Sequence, residues 1–166
     1  MRTFKYMGNH KEDEAYMQKM CGKGYAAIRL VEGLWTFEQC EPYQYTYRMA
    51  YFRGKSKDEI DHFIDECAIN GIEFVSRYSF WAIFRSEKPF FLYTRQEELE
   101  ICEKIYRPMP VGAVLSWLFF VLSVFLSLTV SRRFLILTVA VSIYGFVCTR
   151  CAVSYKRLLK QLKKCS

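Results

Sequence analysis

The chain has 166 residues, with 24 Lys and Arg against 17 Asp and Glu for a formal net charge of +7. That length holds one modest domain and an accessory segment. Every acid lies at or before Glu103, so the positive excess belongs to the C-terminal third; this excludes a basic globular domain of the nucleic-acid-binding kind and suits an anionic membrane surface instead.

In chain order, a strand is expected at Thr3–Tyr6, then a helix over Lys11–Met20 with Tyr16, Met17, Met20 and Cys21 on one face, stopped by Gly22 and Gly24. Strands follow at Tyr25–Val31 and Leu34–Gln39. From Tyr43 to Tyr51 the residues alternate, placing Tyr43, Tyr45, Tyr47, Met49 and Tyr51 on one side. Ser56 and Glu59 have the spacing of a capping box for a helix over 57–70, whose stripe is Ile60, Phe63, Ile64, Cys67 and Ala68, and Asn70-Gly71 ends it. Ile72–Arg77, Trp81–Arg85 and Phe90–Tyr93 read as strands. Thr94 and Glu97 cap a helix over Arg95–Tyr106 with Leu99, Cys102, Ile105 and Tyr106 as its stripe, and Pro108 and Pro110 interrupt the chain after it.

These elements recur. Glu12–Tyr25 parallels Glu59–Ile72 at an offset of 47, whereas Trp35 and Phe37 parallel Trp81 and Ile83 at 46, which implies a shorter turn in the second copy. The expected fold class is α+β: two β-α-β-β repeats forming one largely antiparallel sheet with helices on one face, followed by a two-helix transmembrane hairpin.

The hairpin is read from two uncharged runs. Residues 111–130 number 20, and a helix of that length spans about 30 Å, the thickness of the hydrocarbon core. Phe134–Thr149 reaches spanning length if it continues to Val153, with Arg150 at the interface. Only Ser131-Arg132-Arg133 separates the runs, so the helices are antiparallel neighbours. Lys and Arg concentrate on the side away from this tip, at Arg95, Lys104, Arg107, Arg150 and along the tail, which places both termini in the cytoplasm. In the tail, Tyr155, Leu158, Leu159 and Leu162 form an amphipathic basic stripe suited to the inner leaflet or to a solvated helix extension. The expected divisions are a cytosolic domain over 1–107, the hairpin over 108–155 and the tail over 156–166.

The seven cysteines are an odd number, and Met1–Glu14 has no apolar core of signal-peptide length, so they are expected to be reduced. Cys148-Thr149-Arg150-Cys151 has CxxC spacing but no second ligand pair. Arg53-Gly54-Lys55-Ser56 stands between a strand and a helix, where a phosphate loop would sit; the glycine a nucleotide loop needs five positions before Gly54 is Met49, which leaves at most an anion held at the helix N-terminus by Arg53, Lys55 and Ser56. His62 is four residues from both Asp58 and Glu66, a spacing shared by a metal-chelating face and by a solvated acidic one. No serine or cysteine has a nearby base that would mark it as an activated nucleophile, and neither a cofactor nor a metal is expected. The remaining candidate surface is aromatic: Tyr43, Tyr45, Tyr47, Trp35 and Trp81 either line a sheet face that takes a peptide or small ligand or fill the core.

Cys40-Glu41-Pro42, Tyr45-Thr46-Tyr47-Arg48, Asn70–Val75, Trp81–Arg85 and Leu92-Tyr93-Thr94 resemble an uncharacterised bacterial family, a domain of unknown function common in Firmicutes and often followed by membrane spans. Its genes frequently neighbour PadR-like transcription regulators. The chain departs from the family pattern at Ile72, Ile83 and Arg95. The resemblance implies a regulatory or stress-response role at a bacterial cell membrane and carries over no residue roles. The function expected is a membrane-anchored, non-enzymatic cytosolic module that binds a protein partner or small ligand. Alternatives are an accessory or immunity subunit of a membrane transporter and a metal-dependent enzyme built around His62.

Overall fold

The computed structural model describes residues 1–5, 8–31, 33–129 and 135–164. The chain forms two compact units, Met1–Thr94 and Arg95–Ser166. The first contains β1 (Arg2–Phe4), α1 (His10–Cys21), β2 (Tyr25–Val31), β3 (Leu34–Gln39), β4 (Thr46–Tyr51), α2 (Lys57–Ile69), β5 (Glu73–Tyr78) and β6 (Trp81–Ser86). The second contains α3 (Arg95–Tyr106), α4 (Met109–Thr129) and α5 (Leu135–Lys164).

The α+β antiparallel class is as expected, but the strands hydrogen-bond into two three-stranded sheets, ordered β1-β3-β2 and β4-β6-β5, rather than into one. Their ladders correspond pair by pair. Arg2↔Thr36, Ala27↔Phe37 and Val31↔Leu34 in the first become Met49↔Ile83, Phe74↔Phe84 and Tyr78↔Trp81 in the second when 47 is added to each number. Both sheets carry a register shift at the same place, at Ile28 between Ala27 and Arg29 and at Val75 between Phe74 and Ser76. The offset is therefore 47 through the β-hairpins as well. Trp35 matches Ala82, not Trp81, and the second turn is not shorter; side-chain identity at Trp81 suggested a slip that the backbone pairing does not make.

The helices begin where the caps place them. Asn9 accepts from the Glu12 amide, and Ser56 and Glu59 complete their capping box. Met17, Met20 and Cys21 of α1 pack with Ala27, Leu30, Trp35 and Phe37 of the first sheet and with Tyr47, Met49 and Ile83 of the second. On the opposite side of β4 and β6, Ala50, Phe52, Ala82 and Phe84 pack with Ile60 and Cys67 of α2. Because successive strand residues alternate between faces, the second sheet is buried on both, with α1 and α2 on opposite sides; the expectation of helices on one face holds for each sheet with its own helix only. Two-sided burial explains the nearly unbroken apolar run Trp81-Ala82-Ile83-Phe84.

Side chains close the strand edges. The N–H of Met49 donates to Glu14 at 2.9 Å and that of Tyr51 to the Tyr93 hydroxyl at 2.8 Å; those of Ala27 and Leu30 donate to the Tyr47 and Ser76 hydroxyls. Residues 90–93 are consequently not a strand. After Pro89 the chain leaves the sheet, Phe90 plugs the core under α2, and Tyr93 meets the edge of β4 through its side chain. Strand β4 starts at Thr46, not Tyr43: Tyr43 has φ 62 and its ring lies against Gly22.

In the second unit α3 packs on the end of α5, with Cys102, Ile105, Tyr106 and Met109 against Tyr155, Leu158, Leu159 and Leu162. The tail is a continuation of α5, and its apolar stripe is covered by protein. Arg95 donates to the Leu162 carbonyl at 2.7 Å, Lys163 pairs with Glu103 at 2.6 Å, and Trp117 donates to the Thr149 hydroxyl at 3.1 Å, so α5 runs antiparallel to α3 and α4. Helices α4 and α5 are long and apolar enough to cross a membrane. The expected tip, Ser131-Arg132-Arg133, and the junctions at Val130 and Phe134 lie outside the described residues, as do Tyr6 and Cys165.

Candidate ligand pocket

Arg85 stands near the end of β6, after four apolar residues, in a strand buried on both faces. A charged side chain there needs partners, and three elements supply them. Glu73 lies directly opposite across the β5–β6 ladder and binds the guanidinium through both oxygens, at 2.8 Å from Nε and 3.0 Å from Nη2. Glu38, at the end of β3, accepts from Nη1 at 3.0 Å. The guanidinium lies over the Tyr45 ring, 4.5 Å from its centroid. The Arg85 side chain is only 12% exposed. Burial acts to lower its pKa, but the hydrogen bonds it donates to Glu73 and Glu38 outweigh that and hold it above the ordinary arginine value. It is a fixed, permanently charged group.

A cavity of about 600 Å³ opens over this group, lined by Tyr45, Gly71, Glu73, Arg85, Lys88 and Phe90 among others. One wall is held by Ser86, whose hydroxyl donates to the Gly71 carbonyl at 3.1 Å and accepts from the Lys88 amide at 3.3 Å. Gly71 adopts φ +72 as the chain leaves α2, a conformation that glycine takes without strain. The pocket thus presents a guanidinium bound by two carboxylates, an aromatic face and a rim on which Glu87 lies beside Lys88.

Of the five aromatic residues expected at a binding face, only Tyr45 reaches this pocket. Trp35 and Tyr47 are 0% exposed and belong to the core. Trp81 is half-buried and stacked on His10 at 4.5 Å. Tyr43 is 75% exposed and stands in the loop before β4. The tyrosine side of β4 is therefore an interior face, closed by α1 and the first sheet. Burial pushes the Tyr47 phenol up to about 12, and its hydroxyl accepts from the Ala27 amide.

Arg53, Lys55 and Ser56 do not converge on an anion site. The α2 N-terminus already receives the Glu59 carboxylate, which accepts from the Ser56 amide at 2.7 Å and its hydroxyl at 2.8 Å, and these bonds lower the Glu59 pKa. Arg53 turns away over the Phe80 ring. His62 pairs with Glu66 at 3.5 Å on an exposed face; among the described residues no three His, Cys, Asp or Glu side chains gather as a metal would require. Cys40 is no activated nucleophile, since burial and neighbouring Cys21 push its thiol up to about 11.

Two groups escaped sequence reasoning. His10, one residue before the helix expected over Lys11–Met20, is the first residue of α1 and is buried. Arg85 carries a signal in retrospect, a charge at the end of an apolar strand, but its partners lie 12 and 47 residues away.

No characterised protein and no solved structure matches the chain. The profile of the family described as "Protein of unknown function (DUF2812)" matches residues 9–110, which takes in the pocket and both helices of the first unit, and the chain belongs to that family.

Proposed function

We propose that the protein is a membrane-anchored regulatory module whose N-terminal unit binds a small polar ligand or peptide terminus in the Arg85 pocket. The observation that carries the reading is the fixed guanidinium at the floor of a cavity of about 600 Å³. Two carboxylates already neutralise Arg85, so a ligand with donors as well as acceptors fits better than a bare phosphate. Tyr45 and Phe90 supply apolar surface beside it.

The anchoring half rests on exposed apolar surface. Val114, Leu118, Phe119 and Phe125 of α4 and Ile143 and Phe146 of α5 are exposed around the pair. Such surface is costly in water and suits hydrocarbon. The distribution of Lys and Arg favours a two-pass arrangement with both termini cytoplasmic. The resemblance to Firmicutes proteins encoded beside PadR-like regulators supports a regulatory role at a bacterial cell membrane. The matching ladders at an offset of 47 support a tandem β-α-β-β origin for the binding unit.

Native mass spectrometry of the full chain, extracted from its own membranes in mild detergent, tests the pocket. Wild type should retain a small molecule that a Tyr45→Ala/Lys88→Glu variant of the same thermal stability lacks. Identical spectra for the two proteins would sink the reading.

A further inference from the structure

The two sheets pair in the same register, yet one face of each is treated differently. On the second sheet, Met49–Ile83–Ser76 and Tyr51–Trp81–Tyr78 form two cross-strand rows. Helix α1 lies against them: Glu14 accepts from the Met49 amide, His10 stacks on Trp81, and Gln18 donates to the Tyr45 carbonyl. The matching rows of the first sheet are Arg2–Thr36–Arg29 and Phe4–Leu34–Val31. Apart from half-buried Thr36, all of these are exposed, Phe4 at 73%, and a groove of about 240 Å³ runs between them. This face is apolar with a basic border.

The helix that corresponds to α1 is α2. Adding 47 to His10, Glu14 and Gln18 gives Lys57, Asp61 and Asp65, all exposed. Asp58, Asp61, Asp65 and Glu66 outnumber Lys57 and make that side of α2 acidic, and Ile69, a further turn along, is exposed at 85%.

We propose that α2 of one copy docks on the outer face of the first sheet of a second copy, as α1 covers the second sheet within the chain. Asp61 and Asp65 lie one helical turn apart, about 6 Å. In the pose of α1, Asp61 stands where Glu14 does, beside Arg2, and Arg29 flanks Thr36 on the other outer strand, about 10 Å away. Lys57 stands where His10 does, its aliphatic stem over Leu34. The charges match in sign, and the folded chain already contains one docking of this kind. The two copies use different surfaces, so the contact is head-to-tail and propagates into a ring or an open chain.

Charge reversal tests it on the full chain in detergent, with association read by energy transfer between differently labelled copies. Arg2→Glu/Arg29→Glu and Asp61→Arg/Asp65→Arg should each weaken self-association about tenfold, which corresponds to about 1.4 kcal/mol. Mixing the two variants should restore it, because each then meets a complementary surface. Arg29→Gln and Asp61→Asn, which remove a charge without reversing it, should each have a smaller effect in the same direction. A wild type that does not associate overturns the proposal, as does a variant that associates normally. Loss with the arginine variants alone assigns the face to a different occupant and also overturns it. So does failure of the mixture while both variants keep the wild-type thermal unfolding.

Discussion

Arg85 shows how a residue becomes a fixed charge through partners that local patterns do not reveal. The apolar run Trp81–Phe84 marks a strand, and the charge at its end marks a position in need of compensation, but nothing local names Glu73 or Glu38. Tyr45 was legible because aromatic content was; its companions Trp35 and Tyr47 were grouped with it by periodicity, which cannot distinguish an open face from one covered by a second sheet. Asp13 illustrates the same limit. Burial raises its pKa to about 7 from 3.8, and the adjacent charges of Glu12 and Glu14 add to the rise. The folded chain binds this proton more tightly than the unfolded chain, so stability is lost as pH rises from about 4 to about 7. Asp13→Asn should therefore stabilise the protein at pH 8, by roughly 1–3 kcal/mol, and change little at pH 4. Thermal unfolding followed by tryptophan fluorescence at the two pH values checks this; equal effects at both would show that the carboxyl does not titrate with folding.

At the scale of elements, helix positions were legible and their surroundings were not. Asn9, Ser56 and Glu59 fix the starts of α1 and α2 by satisfying free amides locally, which is why sequence could place them. The division of six strands into two sheets depends on edges closed by Glu14, Tyr47, Ser76 and Tyr93, contacts of long sequence separation. The end of α5 is the clearest case. Tyr155, Leu158, Leu159 and Leu162 were read correctly as a stripe, but a stripe does not name its partner, and the partner is α3 rather than a lipid surface. Leu158→Ala with Leu159→Ala should cost about 4 kcal/mol in α3–α5 packing, each buried leucine contributing about 2 or more. Limited trypsin digestion of the membrane-bound chain reads this directly: cleavage at Lys156, Arg157 or Lys160 should accelerate sharply. A stripe resting only on lipid would leave the digestion rate unchanged.

For the whole molecule, the asymmetry of charge is the feature that sequence conveyed best. It needs no knowledge of contacts: acids end at Glu103, two long apolar helices follow, and the remaining charges are basic. A bilayer sorts membrane-spanning chains by the cost of moving Lys and Arg across it, so a charge asymmetry of this kind predicts a sidedness that can be measured. Arg95, Lys104 and Arg107 precede α4, and Lys156, Arg157, Lys160, Lys163 and Lys164 close α5, against Arg132 and Arg133 between the two apolar runs of the sequence. If the two apolar helices cross the membrane as a pair, only the segment around Ser131 is displayed outside. A Ser131→Cys chain should then react with a membrane-impermeant maleimide on intact cells, whereas an epitope added before Met1 should become accessible to antibody only after permeabilisation. The opposite pattern would place the Arg85 pocket outside the cell and remove the cytosolic ligand reading. Labelling of neither position on intact cells, with both reacting after permeabilisation, would show that the apolar pair does not cross.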